Sequence, residues 1–341
     1  MNHAIDIYQS ATKTFIQKFD IYWNDMLKIL DSHQSQLIVG NRLRPQIALW
    51  GYLATVAPDK VISHDFDQIS NIAVSIEMIH KASLLLDDWI DNDEERHGKL
   101  AFHAEYDPQY AVIFSLNMLG LAMHRLEGAF PSSVVLPHHY SLCLDTLVKT
   151  IYSMAKGALE ELRLQKNDFL DSTKIREITQ LETSEIIGNS MLLGYYVGAG
   201  QNKDSRVEVI FKKLGDQCGY LFQALNDLEA FGNPQQLAVH KGSLNMDLFA
   251  NRKNLAISAL YEISSKSDRL LLQHINEVDL LRLMKKYKVV ESLKDELATV
   301  YMDILSTGKQ LHSIGLSAEW CEGLQWFLER IKKYAEERLK E

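Results

Sequence analysis

In the stretch SLLLDDWIDNDEERHG at residues 83–98, Asp87 and Asp91 lie four residues apart with Asp88 between them. On a helix that spacing puts Asp87 and Asp91 on one face, and His80 and Ser83 fall on the same stripe. Asp93, Glu94 and Glu95 follow directly. Two carboxylates ~6 Å apart at an effective dielectric of ~20 repel by about 3 kcal/mol, and the negative end of the helix dipole adds to that cost. A solvated acidic helix end is the plain reading of such a pattern. A hard cation gives it a chemical use, because Mg²⁺ accepts one or two carboxylates and completes its shell with water and phosphate oxygens. The chemistry to expect is therefore metal-assisted handling of a phosphorylated substrate.

Three basic stretches are candidates to hold the phosphates: GNRLRP at 40–45 with Arg42 and Arg44, Arg96 just beyond the aspartates, and HKGSLNMDLFANRK at 240–253 with Lys241, Arg252 and Lys253. Each, taken alone, also fits a solvated turn or loop. FQALNDLEAF, ending at Phe231, sets Gln223 four residues before Asp227 with Asn226 alongside, which is either the opposite wall of a metal site or a polar patch on an amphipathic helix.

These residues need helices to position them. Apolar residues recur at three and four along most of the chain and no long strict alternation occurs, so the fold class is all-α. Asp65 and Gln68 have capping-box spacing and start a helix that runs through Ile69, Ile72, Ile76, Ile79 and Leu86 and ends before Gly98. A second helix begins near Asp204 and stops at Gly232 and Pro234. The uncharged runs near 110–123 and 186–202 are too short and too rich in Gly, Ser and Asn to span a bilayer, and read as buried helices. LERIKKYAEERLKE at the C-terminus reads as a solvated amphipathic helix. No linker, repeat or low-complexity tract divides the chain, so residues 1–341 are expected to form one domain.

A net charge of -9 argues against a nucleic-acid phosphate surface, which needs clustered Lys and Arg. Cys143, Cys218 and Cys321 are isolated and odd in number, so a disulfide framework is not expected and a cytoplasmic location is. The N-terminus has no basic region followed by an apolar core of the kind a leader carries, and no transmembrane segment is expected.

In order, these segments resemble the trans-isoprenyl diphosphate synthases, the polyprenyl synthetase family. GNRLRP resembles that family's GGKRLRP element, EMIHKASLLLDDWIDNDEERHGKLAFH its first aspartate-rich block, FQALNDLEAF its second aspartate motif, and HKGSLNMDLFANRK the lysine-bearing loop that follows, over about residues 40–260. The resemblance implies an isoprenoid synthase-type helical bundle around a deep central cavity, usually as a homodimer. It implies that Asp87 and Asp91, supported by Asp88, bind Mg²⁺ bridging an allylic diphosphate, with Asn226 and Asp227 opposite. Arg96, Gln223, Thr183, Lys241 and Arg252 or Lys253 would hold that diphosphate, and Arg44 and His80 the second substrate, isopentenyl diphosphate.

The departures from the family pattern bear on function. Asn41 stands where the family has a lysine and His97 where it has an arginine, so the second-substrate site has lost fixed positive charge. Glu182 replaces the lysine of a Lys-Thr pair, leaving Thr183. Asn226 and Ala230 replace the first and last aspartates of the second motif; an amide oxygen still coordinates Mg²⁺ but carries no charge. Three readings follow: a synthase that condenses an allylic diphosphate with isopentenyl diphosphate, an enzyme that keeps ionisation but cyclises the product or uses another acceptor, and a weakly catalytic partner subunit. Small Ala82 and Ser83 upstream of Asp87 would permit a product longer than farnesyl, which Leu86 and the opposite wall could reverse.

Overall fold

The computed structural model describes residues 2–30, 37, 40–96, 98–130, 137–164, 171–229, 231, 254–272 and 276–338. Helices dominate: α1 (Asn2–Ile29), α2 (Leu43–Leu53), α3 (Asp67–Asp91), α4 (Phe102–Glu105), α5 (Pro108–Gly128), α6 (Pro137–Leu164), α7 (Ser172–Thr179), α8 (Glu185–Ala199), α9 (Ser205–Glu229), α10 (Leu255–Ile263), α11 (Lys266–Leu272), α12 (Glu277–Lys286), α13 (Val289–Ser313) and α14 (Ala318–Arg338). The fold is all-α as the periodicity requires, relieved among the described residues by a small antiparallel hairpin of β1 (Glu95–Arg96) and β2 (Lys99–Leu100).

α3 is the central element. It packs against α5 on one side and α2 and α8 on others, and its residues from Ile69 to Ile79 are buried on every face. It is long and apolar enough to cross a membrane, yet most of it is enclosed by the other helices. Its start departs from the capping-box expectation: the helix begins at Asp67, and the Asp65 carboxylate accepts from the Asp67 amide at 3.1 Å as a short turn. Asp67 in the first turn complements the helix dipole and is tied to Lys18 and to the Tyr22 hydroxyl at 2.9 Å.

α2 and α8 cross in backbone contact. A Cβ on Gly194 would lie 1.8 Å from the Ala48 carbonyl oxygen, and one on Gly51 would lie 1.9 Å from that of Met191, so only glycine fits either crossing point. The chain ends close over α2: Tyr8 of α1 and Phe327 of α14 stack on Trp50, each at 5.4 Å, and the Trp320 indole donates to the Trp50 carbonyl at 3.2 Å. One apolar cluster consequently runs from Tyr8 to Ile331. Cys143, Cys218 and Cys321 are buried and unlinked within it, their thiols pushed up to about 12, about 12 and about 11 by burial.

The two uncharged runs differ. Residues 186–196 of α8 are buried all round, as expected. α5 is buried only along Ala111, Phe114, Ser115, Met118, Ala122 and Leu126, and its other face shows Ile113 (65% exposed) and Leu116 (57%) to solvent, which corrects the expectation of a fully buried helix. An uncharged run shows that a helix can be enclosed, not that its neighbours enclose it.

Candidate active site

The acidic end of α3 is built on a Schellman turn. Asn92 takes the left-handed conformation (φ 54°), the Asp93 amide donates to the Asp88 carbonyl at 2.9 Å and the Asn92 amide to that of Trp89 at 3.2 Å. The turn sends the chain back along its own helix, and the hairpin with Gly98 at φ 71° returns Arg96 to Asp88. The Arg96 Nε donates to Asp88 Oδ1 at 2.6 Å, and Nη2 closes on the same oxygen. Asp88 is 1% exposed; burial pushes its carboxyl up, against the pull of Arg96. Asp87 is exposed and Asp91 half-buried. One acid of the motif thus anchors the cation expected to hold a phosphate, and the other two stand at the mouth.

About 10 Å down the same helix, by its rise per residue, lies a second polar group. Arg44 Nη1 meets His80 Nε2 at 2.8 Å. Burial, followed by the nearby Arg44, Lys81 and Arg96 charges, holds His80 well below the ordinary histidine value, so its Nε2 accepts from Arg44 and the proton sits on Nδ1. Burial also lowers Arg44, to about 10, and its Nε is buried without a partner among the described residues. Arg42, left-handed at φ 53°, is differently occupied: it pairs with Glu77 at 3.3 Å and Asp20 at 3.8 Å and lies over the rings of Phe19 and Trp23. Asn41 is exposed, and its side-chain oxygen accepts from the Leu43 amide at 3.1 Å.

A second polar region combines α9 with a π-helical segment, Gln180–Ser184, that joins α7 to α8. A relay of hydrogen bonds crosses it: Thr183 Oγ1 to Gln223 Oε1 at 3.2 Å, Gln223 Nε2 to Asp227 Oδ1 at 2.9 Å, and the Leu255 amide to Asp227 Oδ2 at 2.7 Å. Asn254 caps α10 and donates to the Asp227 carbonyl at 3.2 Å. Asp227 is 6% exposed, while Asn226 beside it faces outward. Both Asp227 carboxylate oxygens accept from protein donors and so fasten α10 to α9, each keeping a second lone pair. Glu182 packs over Gly157 of α6. His97, Ala230, Gly232, Pro234, Lys241, Arg252 and Lys253 lie outside the described residues.

Among the described residues no three acids, histidines or cysteines converge into a metal cage. The donor set nevertheless fits Mg²⁺, which needs only one or two carboxylates when phosphate oxygens and water complete its shell. Ile76 and Ile79 of α3, Leu147 and Thr150 of α6, and Ile186, Asn189, Ser190 and Leu193 of α8 line a closely packed apolar crevice. The Asn189 amide donates to Thr150 Oγ1 across it at 2.9 Å. Ala82 is fully buried, and Ser83 donates back to the His80 carbonyl at 2.8 Å.

Sequence reasoning passes over Lys81 and Glu77. Lys81 is 6% exposed and Glu77 3%, and both lie inside the apolar part of α3. Their signal is present all the same: a lysine and a glutamate four apart within an otherwise apolar run cannot be buried without partners.

A family profile for polyprenyl synthetase matches residues 28–292. The chain is 23% identical over 300 residues to a farnesyl diphosphate synthase of Buchnera aphidicola, covering 84% of this chain and 97% of that one. It is 22% identical over 247 residues to a geranylgeranyl pyrophosphate synthase of Geoglobus acetivorans, 72% of each. Among solved structures, a polyprenyl synthase from Caulobacter crescentus complexed with calcium and isoprenyl diphosphate superposes with TM-score 0.78 over 98% of both chains at 18% identity. With the ordered motifs, the helical architecture and the paired polar clusters on α3, these matches establish that the chain belongs to the polyprenyl synthetase family and is a prenyltransferase.

Proposed function

We propose that this protein ionises an allylic isoprenyl diphosphate at the mouth formed by Asp87 and Asp91 and joins it to isopentenyl diphosphate held at Arg44 and His80. The observation that carries this reading is the pair of unlike sites on one helix, an acid pair for metal and, about 10 Å below it, a half-buried His80 that holds the Arg44 guanidinium for a second anion.

Asp87 and Asp91 are the residues that would hold Mg²⁺, with Asn226 as a neutral donor opposite. When bound, the metal stabilises negative charge on the departing diphosphate as a Lewis acid. Gln223, held between the Thr183 hydroxyl and Asp227, would give its second amide hydrogen to the same diphosphate. Asp88 keeps the Arg96 guanidinium aimed and charged. The C–O bond breaks with its electron pair on diphosphate, the isopentenyl alkene attacks the allylic carbon, and loss of a proton restores a double bond. Arg44 and neutral His80 orient the acceptor through its diphosphate. The enclosed apolar walls keep water from the cation. The crevice lined by Ile76 and Ile79 is the path for the growing tail, which must part its closely packed walls.

The exposed apolar side chains Ile113 and Leu116 of α5 and Val148 and Tyr152 of α6 support a second copy of the chain as their cover. Light scattering on the purified protein should give twice the chain mass. A lone chain would sink that part of the reading.

The test is turnover of geranyl, farnesyl and geranylgeranyl diphosphate with Mg²⁺, with and without isopentenyl diphosphate, measuring released diphosphate and organic product. A longer diphosphate formed only with isopentenyl diphosphate is the expected result. Diphosphate release with a hydrocarbon product in its absence would replace the condensation by cyclisation. No turnover under any condition would leave the chain as a subunit needing a catalytic partner, and two heptaprenyl diphosphate synthase relatives do carry the name component 2.

A further inference from the structure

We infer that the hydrogen bond from Asn189 to Thr150 sets the length of the product, by tying α8 to α6 across the path of the growing tail; the inference deepens the proposed function and rests on it. Ile76 lies eleven residues before Asp87 on α3, about three turns, so it faces nearly the same way as that acid about 16 Å further along the axis. Ile79 lies eight residues before Asp87, about 12 Å along. A tail that starts at the metal end and follows this side of α3 meets the crevice at these two side chains. Across from them, Ile186, Asn189, Ser190 and Leu193 have the three-and-four spacing of one helical face, and α6 adds Leu147 and Thr150.

The crossing is a chain of hydrogen bonds in an apolar setting. Asn189 Nδ2 donates to Thr150 Oγ1 at 2.9 Å and to Glu185 Oε2 at 3.2 Å, which uses both amide hydrogens. The Thr150 hydroxyl in turn donates to the Thr146 carbonyl at 2.8 Å. Asn189 and Thr150 are buried, so water does not compete for these partners. Ser190, the other polar side chain on this face of α8, turns its hydroxyl back onto the Ile186 carbonyl at 2.6 Å and takes no part. The walls around the chain are closely packed, so a hydrocarbon passes only if α6 and α8 move apart there. An isoprenyl tail has no acceptor to offer the Asn189 amide in place of Thr150. Each unit added short of the brace gains apolar burial, whereas the unit that would pass it strands a buried N–H, and elongation stops at that level.

Chromatography of the products that the full chain forms from geranyl diphosphate, isopentenyl diphosphate and Mg²⁺ tests this with three variants. Thr150→Val keeps the size and removes the hydroxyl, Thr150→Ser keeps the hydroxyl and removes a methyl, and Asn189→Ala removes the donor. Thr150→Val and Asn189→Ala should each raise the ratio of longer product to product of wild-type length by about fivefold or more, the weight of one hydrogen bond. Thr150→Ser should keep the wild-type length, whereas a stop acting by bulk alone would lengthen the product in Thr150→Ser and leave it unchanged in Thr150→Val. Thermal melting checks the fold of each variant, and a role confined to stability would lower the melting temperature without moving product length. Wild-type length from Thr150→Val or from Asn189→Ala, or a longer product from Thr150→Ser, overturns the inference alone. A wild type that elongates no allylic diphosphate with isopentenyl diphosphate overturns it together with the proposed function.

Discussion

At the end of α3 the buried acid, Asp88, is matched by a cation, and its neighbours Asp87 and Asp91 are exposed and half-buried acids. At the corresponding end of α9 the buried acid, Asp227, is engaged by Gln223 and the Leu255 amide, and the neighbour that reaches the surface, Asn226, is neutral. The same local design, one acid inward and polar groups outward, thus serves two ends. On α3 it leaves two acids turned outward beside an anchored guanidinium; on α9 it joins two helices and orients hydrogen-bond donors. A sequence motif reports both alike, because it records residue types and not which oxygen each donor has taken.

Substitutions can break that contrast. The largest effect is expected from Asp87→Ala: loss of turnover by ~10³-fold or more with an unchanged melting temperature, since the side chain is exposed and its role is chemical. Near-normal rates would remove the metal assignment. Next comes Asp88→Asn, which strands a mostly buried Arg96 and should cost about 3 kcal/mol in denaturant unfolding, with activity falling alongside. Asp227→Ala should cost about 1–3 kcal/mol, because the Leu255 amide and Gln223 lose their acceptor, while Mg²⁺ affinity stays close to wild type. If Mg²⁺ affinity collapsed instead, the two ends would be alike after all. The smallest effect, a few-fold tightening of Mg²⁺ in the presence of diphosphate, is expected from Asn226→Asp, which restores charge to the α9 side; no change in calorimetry would place that residue outside the metal's reach.

Helical periodicity is enough to give the fold class, and the clustering of Asp87, Asp88, Asp91 and Arg96 within one short stretch is enough to mark the acidic end of α3 and its anchored arginine, because both signals are local. What the amino-acid sequence hides is non-local. The partner of Asp227 lies 28 residues onward, at a backbone amide that has no signature in residue type. The start of α3 shifts because Asp65 meets the Asp67 amide, a choice between two near-equal turns. The exposed face of α5 carries Ile113 and Leu116, so an uncharged run there looks like one that is enclosed, as in α8.

The backbone contact between α2 and α8 reaches further than packing. Gly40 to Arg44 leads straight into α2, so the arginine loop has no freedom that α2 lacks, and α2 is pinned at Gly51 and Gly194 with no space for a single methyl group. A carrier of Ala at either glycine would touch no substrate, metal or neighbouring charge. It would still tilt the platform on which the acceptor rests, and its phenotype would resemble a damaged ligand contact while its origin was a hinge forced open from behind.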